Sequence, residues 1–232
     1  MWPQDWTTNY LFLLRWVHYL AGITWIGMLY FFNLVNVKFM KELDATTKGK
    51  VVPNLMPKAL WWFRWGALWT VVAGVLLHLS TVTSESHGLP SFFWIWLVIV
   101  AATFVVGTWL FTVFKKDGRM LSAAYLVLLI LMGVVVWKVH ASANTSWKVL
   151  SIALGGGMGL IMFMNVWMVI WPLQKKIIAA TKAQAEAGTA PPAEMPAWAR
   201  RAFLASRTNA WLSVPMLFFM GAASHFPIGI GK

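Results

Sequence analysis

The sequence of 232 residues contains no cysteine. This absence excludes disulfide bonds, thiolate metal sites, iron–sulfur clusters, a cysteine nucleophile and a c-type haem attached through C-x-x-C-H. Acidic residues are also scarce, with 7 Asp and Glu against 19 Lys and Arg. None of the seven lies inside an apolar segment, so no carboxylate is available there for a proton relay or a cation site. An ion-driven transporter of the acidic-residue type is therefore disfavoured.

Charge of either sign is rare, and apolar residues are abundant. Charged residues make up 11% of the chain and hydrophobic residues 59%. Soluble domains contain about 25% charged residues and about 45–50% apolar residues. A chain with so little polar surface indicates a multi-pass membrane protein. The net charge of +12 would point to nucleic acid in a soluble protein. Here the basic residues gather in loops on one side, so we expect no nucleic-acid partner.

Apolar segments long enough to cross a bilayer, about 20 residues each, occur six times. The sequence therefore predicts an all-α transmembrane helix bundle of about six spans, folded as a single domain over residues 1–232. The segment of residues 179–199 (approximate bounds) is rich in Ala, Pro, Gly and polar side chains. This composition predicts a mobile cytoplasmic loop. The predicted spans are 8–37, 57–82, 91–114, 120–140, 147–173 and 207–227.

Most Lys and Arg residues fall in the first, third and fifth loops between these spans. Because cytoplasmic loops carry an excess of positive charge, we expect these loops to be cytoplasmic and both termini to be periplasmic. The predicted location is the bacterial inner membrane.

The five histidines all fall on the predicted outer side of the membrane midplane. Histidine is rare within spans, and neutral imidazole is a common metal ligand. Two imidazoles from facing helices would hold a haem b in the core of a bundle. His18 and His225 form the first predicted ligand pair, and His78 and His140 a possible second pair. Hydrogen bonds between packed helices, another metal and a protonatable switch are the alternatives.

Three glycines lie one turn deeper than a histidine on the same predicted helix face: Gly22, Gly74 and Gly221. A missing side chain beside an axial histidine would make room for a flat macrocycle, although glycine also permits close helix packing. Arg15 is one turn nearer the outside than His18 and has no obvious acidic partner, so it is predicted to meet a haem propionate. Arg64 lies near the predicted cytoplasmic end of its span and is expected to reach lipid headgroups.

A second polar set belongs to the cytoplasmic half of the predicted bundle. Its basic and amide side chains would suit a planar, anionic molecule that forms hydrogen bonds, and this makes them candidate substrate-binding residues. The favoured alternative is that the amides join helices and that the bases are ordinary positive charges of the cytoplasmic side. The members of this set are Asn33, Asn165, Lys175, Arg207 and Asn209.

Three stretches carry a family resemblance: residues 15–27 (RWVHYLAGITWIG), 165–176 (NVWMVIWPLQKK) and 206–227 (SRTNAWLSVPMLFFMGAASHFP), with the shorter run 63–65 (FRW). Together they resemble the membrane domain of the bacterial urate hydroxylase family, a group of membrane-bound urate oxidases. The resemblance implies oxidation of urate at the membrane and transfer of electrons to cytochrome c. Family members usually carry a periplasmic cytochrome c domain after the membrane domain. Because this chain has no C-x-x-C-H motif, we expect the cytochrome to be a separate partner.

Three functions follow from these observations. The first is a b-type haem protein that passes electrons from a cytoplasmic or quinone donor to a periplasmic cytochrome c. The second is a non-catalytic subunit of a larger respiratory or photosynthetic membrane complex. The third is a urate oxidase proper.

Overall fold

A computed structural model describes residues 5–86, 88 and 90–226. These residues form helices joined by short connections, and no strand occurs among them. We number the helices α1 (Trp6–Glu42), α2 (Ala45–Ser86), α3 (Ser91–Val113), α4 (Gly118–Ser142), α5 (Trp147–Ala187) and α6 (Met195–His225). The predicted all-α bundle is confirmed.

Five of these helices, α1 to α5, are long and apolar enough to cross a membrane. The sixth predicted span begins within α6, a helix of 31 residues that ends at His225, and α6 is less apolar than α1 to α5. Residue 227 of that span lies outside the described residues. Its polar residues include Ser206, Asn209 and Ser213, and they bond to neighbouring helices or to its own backbone. The polar face of α6 is thus turned inward, and its polar residues lower the mean hydropathy of the helix.

Short polar residues begin most of the helices. The Asp5 carboxylate accepts the backbone N–H of Thr8, at the start of α1, and Asp117 caps α4 in the same way. Ser146 caps α5. The pKa of Asp44, before α2, lies below its ordinary value because the Thr47 hydroxyl and then the Thr47 N–H donate to the carboxylate. Such caps satisfy N–H groups that a helix start leaves without partners.

Two helices extend further on the predicted cytoplasmic side than the sequence indicated. Helix α2 begins at Ala45 and runs through Pro53 and Pro57, although the span was predicted to begin at residue 57. Helix α5 continues to Ala187 and ends at Gly188, whose φ of 65° suits a helix terminus.

The predicted loop of about 179–199 is therefore wrong in its extent, because only residues 188–194 lie between the two helices. Ala, Lys, Gln and Glu favour a helix, and they fill the segment before Gly188. The extensions also pack together, since a Cβ placed on Gly49 would lie 2.9 Å from the Cβ of Ala185.

Helix α5 forms the centre of the bundle and contacts α2, α3, α4 and α6. Glycines on two of its faces permit this. A Cβ on Gly155 would lie 3.1 Å from the Met216 carbonyl oxygen of α6, and one on Gly157 would lie 3.1 Å from Cγ2 of Val100 in α3. The glycine run of residues 155–159 thus allows α3 and α6 to pack closely on α5. Helix α1 instead packs mainly on α2.

Candidate functional site

A cavity of about 820 Å³ lies among α1, α2, α3, α5 and α6. It occupies the end of the bundle where α1 and α5 begin and α2 and α6 end, which is the predicted outer side. A volume of about 300–1,000 Å³ is typical of small-molecule and cofactor sites. Its walls combine aromatic, aliphatic and glycine residues with a few polar side chains. Lining residues include Arg15, His18, Gly22, Thr70, Gly74, His78, Trp96, Trp147, Lys148, Gly155, Gly156, Gly159, Met216 and Met220.

His18 is fixed by the backbone of the neighbouring helix. Its Nδ1 lies 2.8 Å from the carbonyl oxygen of Thr70. A carbonyl can only accept, so Nδ1 carries the proton and donates, and Nε2 keeps its lone pair. Metal-ligating histidines use this arrangement, in which the other ring nitrogen donates to a carbonyl and sets the tautomer.

Gly74 allows His18 to approach α2 this closely. A Cβ at position 74 would lie 2.8 Å from Cε1 and 3.1 Å from Nδ1 of His18. The predicted site role of Gly74 therefore has a different physical basis. Its missing side chain makes room for the imidazole of His18, one turn beyond the carbonyl that accepts the hydrogen bond.

His78 lines the same cavity as His18. It is 4% exposed, and its Nδ1 is buried with no hydrogen-bond partner among the described residues. The rings of Phe93 and Trp96 contact it at centroid distances of 5.9 and 5.2 Å. The Trp96 indole is held in turn by donation to the Ala153 carbonyl at 2.9 Å.

His140 is buried nearby, on α4, but it is not among the residues lining the cavity. Its Nδ1 lies 2.9 Å from the Val136 carbonyl of its own helix and donates to it, while Nε2 is buried without a partner in the described chain. The Phe92 ring contacts the imidazole at a centroid distance of 5.1 Å. His78 and His140 thus pack against adjacent rings of α3.

The structure does not bring His225 to the cavity. His225 is the last residue of α6 and is exposed. Gly221 also lies outside the lining, and a Cβ there would meet nothing within 4 Å. Gly22 does line the cavity, beside the Thr70 methyl group. The first predicted pair, His18 and His225, is therefore not assembled there, whereas His18 and His78 share one space.

Two cations lie at the cavity, Arg15 on α1 and Lys148 on α5. Within the described chain the only ion pair joins Lys182 and Glu186, so neither cation is paired with a carboxylate there. The site suits a flat, largely apolar cofactor that carries negative groups and needs one or two imidazole ligands. A bare ion needs more ligands, and the described residues contain no group of three or more His, Asp or Glu that could hold one.

The cytoplasmic polar set is arranged differently. Asn165 donates to the Asn209 side chain at 2.8 Å, and Asn209 donates to the Met162 carbonyl at 2.9 Å. Asn33 donates to the Ser206 hydroxyl at 2.9 Å. All three amides are buried and join helices, which agrees with the alternative favoured from the sequence.

The two bases of this set lie beside aromatic rings. Lys175 is over Trp171, and Arg207 is over Phe203. None of the five residues in the set lines the cavity.

Two features of the site were missed by sequence reasoning. The Thr70 carbonyl is a backbone group, and no residue type signals its role. Lys148 stands at the start of α5, and the sequence pattern did not indicate that it would line a cavity. Its position beside Trp147 was the available signal, because an aromatic–basic pair at a span end marks the membrane boundary.

Comparison with known families places most of the chain in one of them. A family model described as "Urate oxidase N-terminal" matches residues 43–232. The chain belongs to this family. The match covers α2 to α6, with His78, His140 and Lys148, whereas α1, with Arg15 and His18, precedes it. No curated protein and no solved structure matches the chain.

Proposed function

We propose that this member of the urate oxidase N-terminal family is an inner-membrane, b-type haem protein that passes electrons to a periplasmic cytochrome c. The observation that carries the proposal is the cavity shared by His18 and His78, in which His18 is fixed as the tautomer that leaves Nε2 free. One or two histidine imidazoles would be enough to hold a haem here. When bound, it supplies one-electron transfer.

The residues of the chain would hold, neutralise and shield this group. His18 and His78 would hold the haem through their imidazoles, and the Thr70 carbonyl would keep His18 oriented. Arg15 and Lys148 would pair with the propionates, which relieves two cations that lack carboxylate partners. Trp96 and Met220 would help to exclude water, and a buried, apolar environment is one of the means by which proteins tune a haem.

The direction of electron flow rests on the charge distribution. The cavity lies at the end of the bundle away from the basic loops, and such loops are cytoplasmic in most membrane proteins. A redox group there would lie close to the periplasmic surface, within reach of a soluble cytochrome. A quinone or a cytoplasmic donor would reduce it.

The test uses the purified full chain, expressed with haem supplied. After reduction, addition of oxidised cytochrome c should reoxidise the bound haem and reduce the cytochrome with matching amplitudes. Variants H18A and H78A should lose haem and this activity, whereas H225A should keep both. Equal loss in all three variants, or haem that cytochrome c does not oxidise, would overturn the proposal.

The family match favours one second function, urate oxidation by the chain itself. Membranes containing the protein would be incubated with urate and cytochrome c, and both urate loss and cytochrome reduction would be recorded. Urate consumption by wild type but not by H18A would support it. Unchanged urate in membranes that contain folded, haem-loaded protein would reject it and leave electron transfer as the function.

A further inference from the structure

Arg64 is held in an unusual position for a cation in an apolar segment. It lies between Phe63 and Trp65 on α2, and its guanidinium carbon is 3.6 Å from the ring centroid of Trp171 on α5. The ring of Trp167 lies 5.3 Å away. Its Nε donates to the Leu60 carbonyl of its own helix at 3.2 Å. The side chain is therefore held against α5, and the sequence predicted that it reaches the lipid headgroups.

A second cation reaches the same indole. Lys175 follows Trp171 by one helical turn, and its Nζ lies 5.5 Å from the Trp171 ring centroid. Two positive charges from two different helices thus meet on a single aromatic ring. Cation–π contact stabilises each of them but leaves their charge uncompensated.

No carboxylate neutralises this pair within the described chain, where the one ion pair is between Lys182 and Glu186. Cations near an apolar membrane segment are costly unless an anion pairs with them. The arrangement therefore leaves two positive charges available to an anion from outside the chain.

The surroundings indicate the depth of a lipid headgroup. Trp61 and Trp62 are exposed, and Trp61 contacts Trp65, whose ring meets Trp167 edge-on at 6.2 Å. Tryptophan gathers at membrane–water boundaries, and basic pockets between helices on the cytoplasmic side bind anionic headgroups. The exposed indoles provide apolar surface for the acyl chains next to the two charges.

From this geometry we infer that Arg64 and Lys175, which both lie at the Trp171 ring, form a binding site for the phosphate of an anionic phospholipid. Phosphatidylglycerol represents the chemistry required. Arg64 offers a planar, multiple-donor contact and Lys175 a point charge. The site lies on the opposite half of the bundle from the cavity and does not depend on the proposed haem.

The test measures lipid binding to the purified full chain by native mass spectrometry. Phosphatidylglycerol should bind more tightly than phosphatidylcholine. Variants R64Q and K175Q should each weaken phosphatidylglycerol binding by about five-fold, the effect of one basic residue near a lipid surface, and leave phosphatidylcholine unchanged. R201Q is the matched control, because it removes one charge from an exposed arginine of α6 and should bind as wild type does.

Circular dichroism and size-exclusion profiles establish that each variant is folded. If R64Q is unstable, K175Q still tests the site, because it changes an exposed side chain. Equal binding of the two lipids by wild type would overturn the inference. So would equal weakening by R201Q, which would indicate net charge alone. Displacement of phosphatidylglycerol by millimolar inorganic phosphate would show a site for soluble anions and would also contradict it.

Discussion

At the residue scale, the orientation of His18 is the feature on which the site depends. The sequence predicted His18, His78 and Arg15 as cofactor residues, and these three do line one cavity. It also predicted Gly221 and His225, which do not. Spacing along α6 put both at the end of the bundle that holds the cavity, but a helix has several faces, and the face turned to the cavity is set by packing that spacing alone does not encode.

Gly74→Ala tests the orientation of His18. The new Cβ would lie 2.8 Å from Cε1 of His18, so the ring must move and its hydrogen bond to Thr70 must lengthen. Loss of such an orienting contact costs about 10–100-fold in metal-site affinity, and we expect haem affinity to fall within that range. Haem titration followed by absorbance gives the measurement.

Gly221→Ala is the control for this change, because it adds the same methyl group at an exposed position of α6 with no atom within 4 Å. It should bind haem as wild type does. Equal affinity in Gly74→Ala and wild type would show that the contact with α2 does not orient His18.

At the element scale, the helices were predictable and their ends were less so. Apolar length identified the spans, because a bilayer sets their minimum. The extensions of α2 and α5 beyond the predicted spans were missed. Proline usually ends or kinks a helix, but α2 continues through Pro53 and Pro57. Two π-helical segments, Phe31–Asn36 in α1 and Asn165–Ile170 in α5, had no sequence signal. Each segment contains buried asparagine, and π-helical turns within α-helices are frequent at functional sites.

The pair Asn165 and Asn209 joins α5 to α6 at 2.8 Å, and a double-mutant cycle tests whether its role is structural. Each single change to Leu should lower the free energy of unfolding by about 1 kcal/mol, because it removes the donor of the buried Asn209 oxygen or the acceptor of the buried Asn165 N–H. The double variant should lose less than the sum of the single losses. Unfolding in mixed detergent, followed by circular dichroism, gives these values.

A substrate role for these amides predicts a different pattern. The single variants would then keep their stability and lose urate oxidation. Additive stability losses in the double variant would show that the two side chains act independently, which would contradict the contact between Asn165 and Asn209.

At the scale of the whole molecule, the orientation in the membrane determines which partners the cavity can meet. The distribution of Lys and Arg predicts it, and the structure places the cavity at the less basic end. The physical basis of this prediction is the charge preference of the membrane itself.

Orientation can be measured directly because the chain has no cysteine, so a single introduced thiol is the only one that reacts. Ser142→Cys lies at the exposed end of α4 on the predicted outer side, and Lys116→Cys lies in the exposed turn before α4. A membrane-impermeant maleimide should label Ser142→Cys in intact spheroplasts and Lys116→Cys only after permeabilisation. The reverse pattern would place the cavity on the cytoplasmic side and exclude a periplasmic cytochrome as its acceptor.

The reduced-minus-oxidised absorption spectrum of the purified protein tests the central claim most directly. Two imidazoles sharing one cavity predict a Soret band and a sharp α band of a b-type haem, at one haem per chain. His18→Ala should abolish the spectrum or convert it to that of a high-spin haem, and His225→Ala should leave it unchanged. A protein that is folded, supplied with haem during expression and still colourless would contradict the account.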